Sequence, residues 1–251
     1  MVDNLSATMA PLHGGRLALM QAPKFLKDVR AIVFDLDGTL IDSYEAITES
    51  LNYALALAGK PPRSLPEVRR MVGLGLETLI ERAMGGPDRV QEGVLNFRRH
   101  YDHICVEKTI LLPEVADTLA ELDRRGYLMS VATNKPSYFA WRLLEGLRVR
   151  RHIVTVLGPD VVEHRKPHPE MVLRAIAKMG VTAAETLYVG DMEVDIETSR
   201  AAGVPVIALP TGSRGPKELE AAKPDLLVRS FRDLLPLLPG PPGGRSPRPP
   251  A

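Results

Sequence analysis

Two carboxylates two residues apart, Asp35 and Asp37, follow directly on the apolar run Ala31 to Phe34, and Gly38 comes next. Such a pair suits phosphoryl transfer. One carboxylate can attack phosphorus in line, forming a mixed anhydride that water then hydrolyses, which divides one hard displacement into two. The second, lifted by the turn at Gly38, can protonate the departing alkoxide and afterwards take a proton from the attacking water. Asp35 is expected as the nucleophile and Asp37 as the acid and base. A carboxylate and a phosphate dianion repel each other, so a hard cation must sit between them. Mg²⁺ is the expected cofactor, because it accepts carboxylates, substrate oxygens and waters in octahedral geometry. Asp191 should bind it with Asp35 and the backbone carbonyl of Asp37, and Asp195 should bind directly or through a water. The remaining charge on the transferring group calls for fixed donors. Thr133, Asn134 and Lys166 supply a hydroxyl, an amide and an ammonium, and backbone amides from Leu36 to Thr39 should add a phosphate-sized concavity.

These residues need a scaffold that brings them together. Ala31 to Phe34 is a short apolar run ending abruptly in acid, as a strand buried on both faces does when it opens into a loop. Similar runs lie at Leu128 to Ala132, Ile153 to Leu157, Thr186 to Val189 and Val204 to Leu209, with a shorter one at Leu226 to Val228. Pro113 and Pro169 open helical stripes between them, closed by Gly126 and Gly180. Strands alternating with helices predict an α/β fold with a doubly wound parallel sheet, Rossmann-like in its core. In such sheets ligands collect at the carboxyl ends of the strands, and there the candidate residues fall. The interval from Tyr44 to about Ile110 breaks the alternation with helical periodicity and no strand, so an inserted all-helical cap is expected. The resulting division is an N-terminal extension over 1–28, a core made of 29–43 and 111–238, a cap over 44–110, and a disordered Pro-rich tail over 239–251.

Composition narrows the partners. With 32 Lys and Arg against 31 Asp and Glu the formal charge is +1, so no broad field draws nucleic acid or anionic lipid and any affinity for anions must be local. A single cysteine, Cys105, excludes an intramolecular disulfide and reads as an apolar filler in a reducing compartment. Without a signal-peptide pattern or a run of ~20 apolar residues, the expected location is cytoplasmic. A monomer or homodimer acting on a small molecule is expected.

The stretch from Phe34 to Ser43 resembles the first motif of the haloacid dehalogenase superfamily. Thr133 resembles its second motif, Lys166 before Pro167 its third, and Gly190 to Asp195 its fourth. The resemblance is narrower to the phosphoglycolate-phosphatase-like members with a helical cap, running from about Ala31 to Leu209 and into Arg69 to Gly75. It implies a Mg²⁺-dependent phosphomonoester hydrolase working through an aspartyl phosphate, with phosphoglycolate as the leading substrate and Arg69, Gly73 and Gly75 as cap contacts to it. Pyrophosphate, sugar phosphates and nucleoside monophosphates are the other candidate substrates. A phosphosugar mutase is disfavoured because Ile47 stands where the similar mutases have histidine. A binding protein without turnover is disfavoured because both carboxylates of the first motif are intact.

Taken singly, each motif has an ordinary reading: Asp-x-Asp as a turn or helix cap, Thr-Asn-Lys as a turn, Lys-Pro as a solvated lysine before a helix. Their order, each at the end of a different strand, carries the reading. Met192 departs from the Thr or Ser usual after the aspartate of the fourth motif, and Glu193 is expected in solvent. His100 and His103 lack a third ligand, His164 and His168 are expected in solvent on the lysine loop, and Trp141 is expected to pack.

Overall fold

The computed structural model describes residues 23–242. The first 22 residues and those from 243 onward, which include most of the expected extension and tail, lie outside the described residues.

Strand β1 (Ala31–Phe34) is buried on both faces and pairs in parallel with β4 (Leu128–Ala132) on one side and β6 (Thr186–Gly190) on the other. Strands β5 (Val156–Leu157), β7 (Val206–Ala208) and β8 (Leu226–Leu227) complete a six-stranded sheet in the order β5-β4-β1-β6-β7-β8, every pair parallel. Alternate side chains feed two apolar clusters. Ile32, Phe34, Met129 and Val131 join one, under α5 (Val115–Arg124) and α6 (Ser137–Gly146). Ala31, Val33, Leu128 and Ala132 join the other, under α7 (Glu170–Met179), α8 (Glu193–Ala201) and α9 (Pro216–Ala222). This is the doubly wound arrangement, with about 1.5–3 kcal/mol of burial for each large aliphatic side chain. Truncating Phe34, fully buried and 5.6 Å from the Phe231 ring, is expected to remove about 3–5 kcal/mol.

Helices α1 (Tyr44–Leu57), α2 (Leu65–Met71), α3 (Leu76–Met84) and α4 (Val90–Ile104) fill the interval between β1 and β4. Ile47, Leu51, Ala54 and Leu55 form the buried stripe of α1, while α4 contributes Val94, Phe97 and Tyr101 at helical spacing. Gly93 lets α4 lie close on α3, since a β-carbon there would meet Met84 and Ile80. At the neck of this unit, β2 (Ile41–Asp42) and β3 (Ile110–Leu111) pair antiparallel, so the outgoing and returning chains leave the sheet side by side.

Several element bounds differ from those expected. The third apolar run gives a strand only at Val156–Leu157, although the Val154 N–H already donates to the Met129 carbonyl of β4 at 2.8 Å. The β2–β3 ladder and helix α2 have no counterpart in the expected elements. No helix among the described residues is long and apolar enough to cross a membrane. A last short helix, α10 (Leu234–Leu237), packs near α5.

Candidate active site

The sheet order reverses between β1 and β6: the chain runs outward from β1 to β4 and β5, then returns to the other side for β6, β7 and β8. Connections diverge there and leave a crevice at the carboxyl ends. Asp35 leaves β1 and Asp191 leaves β6 at that crevice, Thr133 follows β4, and Lys166 comes from the loop between β5 and α7.

Lys166 is the hub. Its Nζ lies 2.8 Å from Asp35 Oδ1 and 2.7 Å from Asp195 Oδ1, and only 1% of its side chain is exposed. It also donates to the Tyr188 hydroxyl at 3.3 Å, which itself lies 3.1 Å from Asp195 Oδ1. The other oxygen of Asp195 accepts the backbone N–H groups of Asp191 at 3.1 Å and Met192 at 3.0 Å. With its lone-pair positions engaged, Asp195 joins a metal directly only by exchanging one of these donors.

Asp191 is arranged differently. Thr39 donates to its Oδ1 at 2.8 Å, whereas Oδ2 is buried with no hydrogen-bond partner among the described residues. The backbones of Gly38, at φ +86°, and Gly212 approach so closely that a β-carbon on either would run into this carboxylate. Ligand oxygens of Asp35, Asp191 and Asp195 lie within 4.8 Å of one another. Burial, opposed by Lys166 and reinforced by Asp195, raises the Asp35 carboxyl to about 7. Burial, then Asp195 and Asp35, push Asp191 well above the usual carboxylate range. Three clustered acids facing one ammonium, with one oxygen orphaned, fit a hard divalent cation, and the all-oxygen donor set suits Mg²⁺.

Asp37 stands beside this cluster. It accepts a short hydrogen bond from Ser43 Oγ and pairs with Lys135 Nζ at 3.0 Å. Burial works against the charge on Lys135, yet Asp37 holds its ammonium above the usual lysine value. The Lys135 Nζ also sits 4.9 Å from the centre of the Tyr101 ring, a cation–π distance.

The expected phosphate donors separate into two kinds. Thr133 Oγ1 accepts the Lys135 N–H at 3.2 Å, which leaves its own proton for a ligand. Asn134 spends both amide hydrogens, on Gly73 O at 2.9 Å and Lys166 O at 3.3 Å, and accepts Lys166 N–H at 3.0 Å. Its side chain thus ties the lysine loop to the helical unit. In the first loop, the amides of Gly38, Thr39 and Leu40 serve the turn's own hydrogen bonds, to Ile41 and Leu36 carbonyls.

The cleft above the acids is lined by Gly73, Gly75, Leu76, Leu79, Phe97 and Tyr101 from the helical unit and encloses about 630 Å³, part of it open to solvent. Ile47 lines it as well, an apolar wall with no proton to transfer. Arg69 is absent from that lining: it pairs with Asp42 at 3.2 Å and lies over the Tyr44 ring. His100 packs, bonded to Ser50 Oγ at 3.1 Å and stacked on Tyr53. His164 and His168 are exposed and lie with Glu170.

Four participants have no assigned role in the sequence-based site: Lys135, Ser43, Thr39 and Tyr188. Ser43 and Thr39 lie within the stretch that resembles the first motif, and Lys135 directly follows Asn134, so position alone could have flagged them. Tyr188 lies inside an apolar strand, where its hydroxyl is the only signal.

A family model of haloacid dehalogenase-like hydrolases matches residues 32–209. The phosphoglycolate phosphatase of Escherichia coli strain K12 is 34% identical over 235 residues, 84% of this chain and 93% of its own length. That of Salmonella paratyphi A is 35% identical over 236 residues, 85% of this chain and 94% of its own. A crystal structure described as a predicted phosphoglycolate phosphatase from Haemophilus somnus superposes with a TM-score of 0.75 at 29% identity, covering 82% of this chain and 96% of that one. A hydrolase from Pseudomonas syringae gives 0.70 at 25% identity, with 82% and 96% covered. The matched span contains Asp35, Asp37, Thr133, Lys166, Asp191 and Asp195, and the chain belongs to the haloacid dehalogenase-like hydrolase family.

Proposed function

We propose that this hydrolase is a Mg²⁺-dependent phosphatase of small cytoplasmic phosphomonoesters, with phosphoglycolate as its substrate. The observation that carries the reading is the convergence of Asp35, Asp191 and Asp195 on one point beside Lys166. The names of the relatives at 34–35% identity supply the substrate.

Asp35, Asp191 and the backbone carbonyl of Asp37 would hold the metal, with Asp195 keeping Lys166 and the Asp191 loop in place. When bound, Mg²⁺ offsets the repulsion between carboxylate and phosphate and draws charge from the transferring oxygens. Lys166 orients the Asp35 carboxylate through Oδ1 and, with the Thr133 hydroxyl, provides donors for the phosphoryl oxygens. Asp35 forms the new O–P bond as the ester O–P bond breaks. Asp37, positioned by Ser43 and Lys135, gives its proton to the leaving oxygen. Asp37 then takes a proton from water, which attacks the aspartyl phosphate and releases inorganic phosphate with Asp35 restored. The helical unit acts as a cap: apolar side chains of α3 and α4 exclude bulk water while the anhydride stands.

Phosphate release from phosphoglycolate and a panel of phosphomonoesters, with Mg²⁺ and with chelator, tests the proposal. Mg²⁺-dependent release that Asp35→Asn abolishes is expected. Absence of release from the whole panel, or near-native activity in Asp35→Asn, would end it.

A further inference from the structure

The cleft holds one cation whose capacity the phosphoryl chemistry does not exhaust. Of the two lysines lining it, Lys166 is already shared between Asp35 and Asp195, while Lys135 has a single carboxylate within ion-pair distance among the described residues, Asp37 at 3.0 Å. Arg69 is committed to Asp42, and Arg165, which lies against Gly75, to the α3 residues Thr78 and Glu77. Against Lys135 lies Tyr101 of α4, 1% exposed, with its ring centre 4.9 Å from Nζ and its buried hydroxyl proton without an acceptor among the described residues. A buried phenol proton without an acceptor is destabilising unless a ligand accepts it. Leu76, Leu79, Phe97 and Phe139 give much of the remaining wall an apolar face.

We propose that Lys135 and Tyr101 together form the specificity-determining site for a carboxylate on the leaving group, so that the enzyme selects phosphomonoesters of small carboxylic acids. Resting on the phosphatase reading above, the proposal gives the substrate class a structural basis. Lys135 then bridges Asp37 and the substrate carboxylate, just as Lys166 bridges Asp35 and Asp195. The Tyr101 hydroxyl donates to the same carboxylate. Since Lys135 follows β4 of the sheet and Tyr101 belongs to the helical unit, the substrate anion joins the two units directly.

Steady-state kinetics with phosphoglycolate and with ethyl phosphate, which lacks the carboxylate, test this in the full chain. The reading is the ratio of the two kcat/KM values, which cancels any general loss from disturbing Asp37. Wild type should favour phosphoglycolate. Lys135→Met should reduce the ratio about 100-fold, and Tyr101→Phe, which removes one oxygen and keeps the packing, about tenfold, chiefly through KM for phosphoglycolate. A ratio unchanged in Tyr101→Phe, or a Lys135→Met loss equal for both esters, would overturn the proposal and leave Lys135 as a positioning residue for Asp37. A wild type that hydrolyses ethyl phosphate as well as phosphoglycolate would overturn it too, with the phosphatase reading intact. Failure to hydrolyse either would instead strike the phosphatase reading itself, and the inference with it.

Discussion

The Met192 thioether rests against Gly73 so closely that a β-carbon on Gly73 would overlap both Sδ and Cε. The departure from the usual Thr or Ser after Asp191 is therefore matched by a residue without a side chain in the helical unit. Gly73 also has φ +120°, which side chains resist. Asn134 fixes the same spot from the core by donating to the Gly73 carbonyl at 2.9 Å. These contacts dock the helical unit over the acids.

Gly73→Ala is accordingly expected to lower kcat/KM for phosphoglycolate about tenfold or more, by lifting the loop from Met192 and Asn134. Combining it with Met192→Ala should recover the part due to overlap but not the part due to backbone strain. A double variant no better than Gly73→Ala would show that the contact with Met192 does not limit docking.

Lys166→Met leaves Asp35 and Asp195 buried without their shared cation. Removing one partner from a buried ion pair destabilises by about 3–5 kcal/mol. A fall in thermal stability of the metal-free protein on that scale is expected, together with loss of turnover. Mg²⁺ should restore part of the stability, because a second cation relieves the same repulsion. Calorimetry with and without Mg²⁺ checks this, and an unchanged melting temperature in the variant would contradict it.

The acids predict a pH dependence whose sign follows from their environment. Asp35 is raised from an ordinary 3.8 to about 7, chiefly by burial, so the folded protein holds this proton more tightly than the unfolded chain. Its ionisation therefore weakens the metal-free fold progressively as pH rises from about 4 to about 7, with the full effect above that. Asp191 acts in the same direction. Asp35→Asn mimics the protonated form, so its melting temperature should exceed that of metal-free wild type by more at about pH 8 than at about pH 6. Mg²⁺ should raise the melting temperature of wild type far more than that of the variant. An equal gap at both pH values would contradict the assignment.

Much of the site was legible because parallel strands buried on both faces read as unbroken apolar runs, so the first acid after each run marks a strand end. Asp35 after Phe34 and Asp191 after Gly190 are visible on that ground. Lys135 was less legible: its place after Asn134 marks it as near the site, but its partners Asp37 and Tyr101 are brought to it only by the sheet and by α4. Asn134 illustrates the reverse, since its amide suggests a phosphate donor until Gly73 and Lys166 take both hydrogens. The β2–β3 ladder is two residues long on each side, too short for any period to register. Helix α2 buries only Val68, so it lacks an apolar stripe, although Ser64 with Glu67 is a helix-start pattern and the Ser64 N–H does donate to Glu67 at 2.8 Å.

In the proposed mechanism the phosphoryl group passes through the side chain at position 35. Acid quench during turnover of phosphoglycolate with Mg²⁺, then reduction with [³H]borohydride, which expels the phosphate and leaves tritium in homoserine, and finally peptide mapping, reads this out. Tritium is expected on the peptide containing residue 35, as homoserine in place of Asp35, and none in Asp35→Asn. Steady turnover with no trapped label, or with label on any other residue, would contradict it.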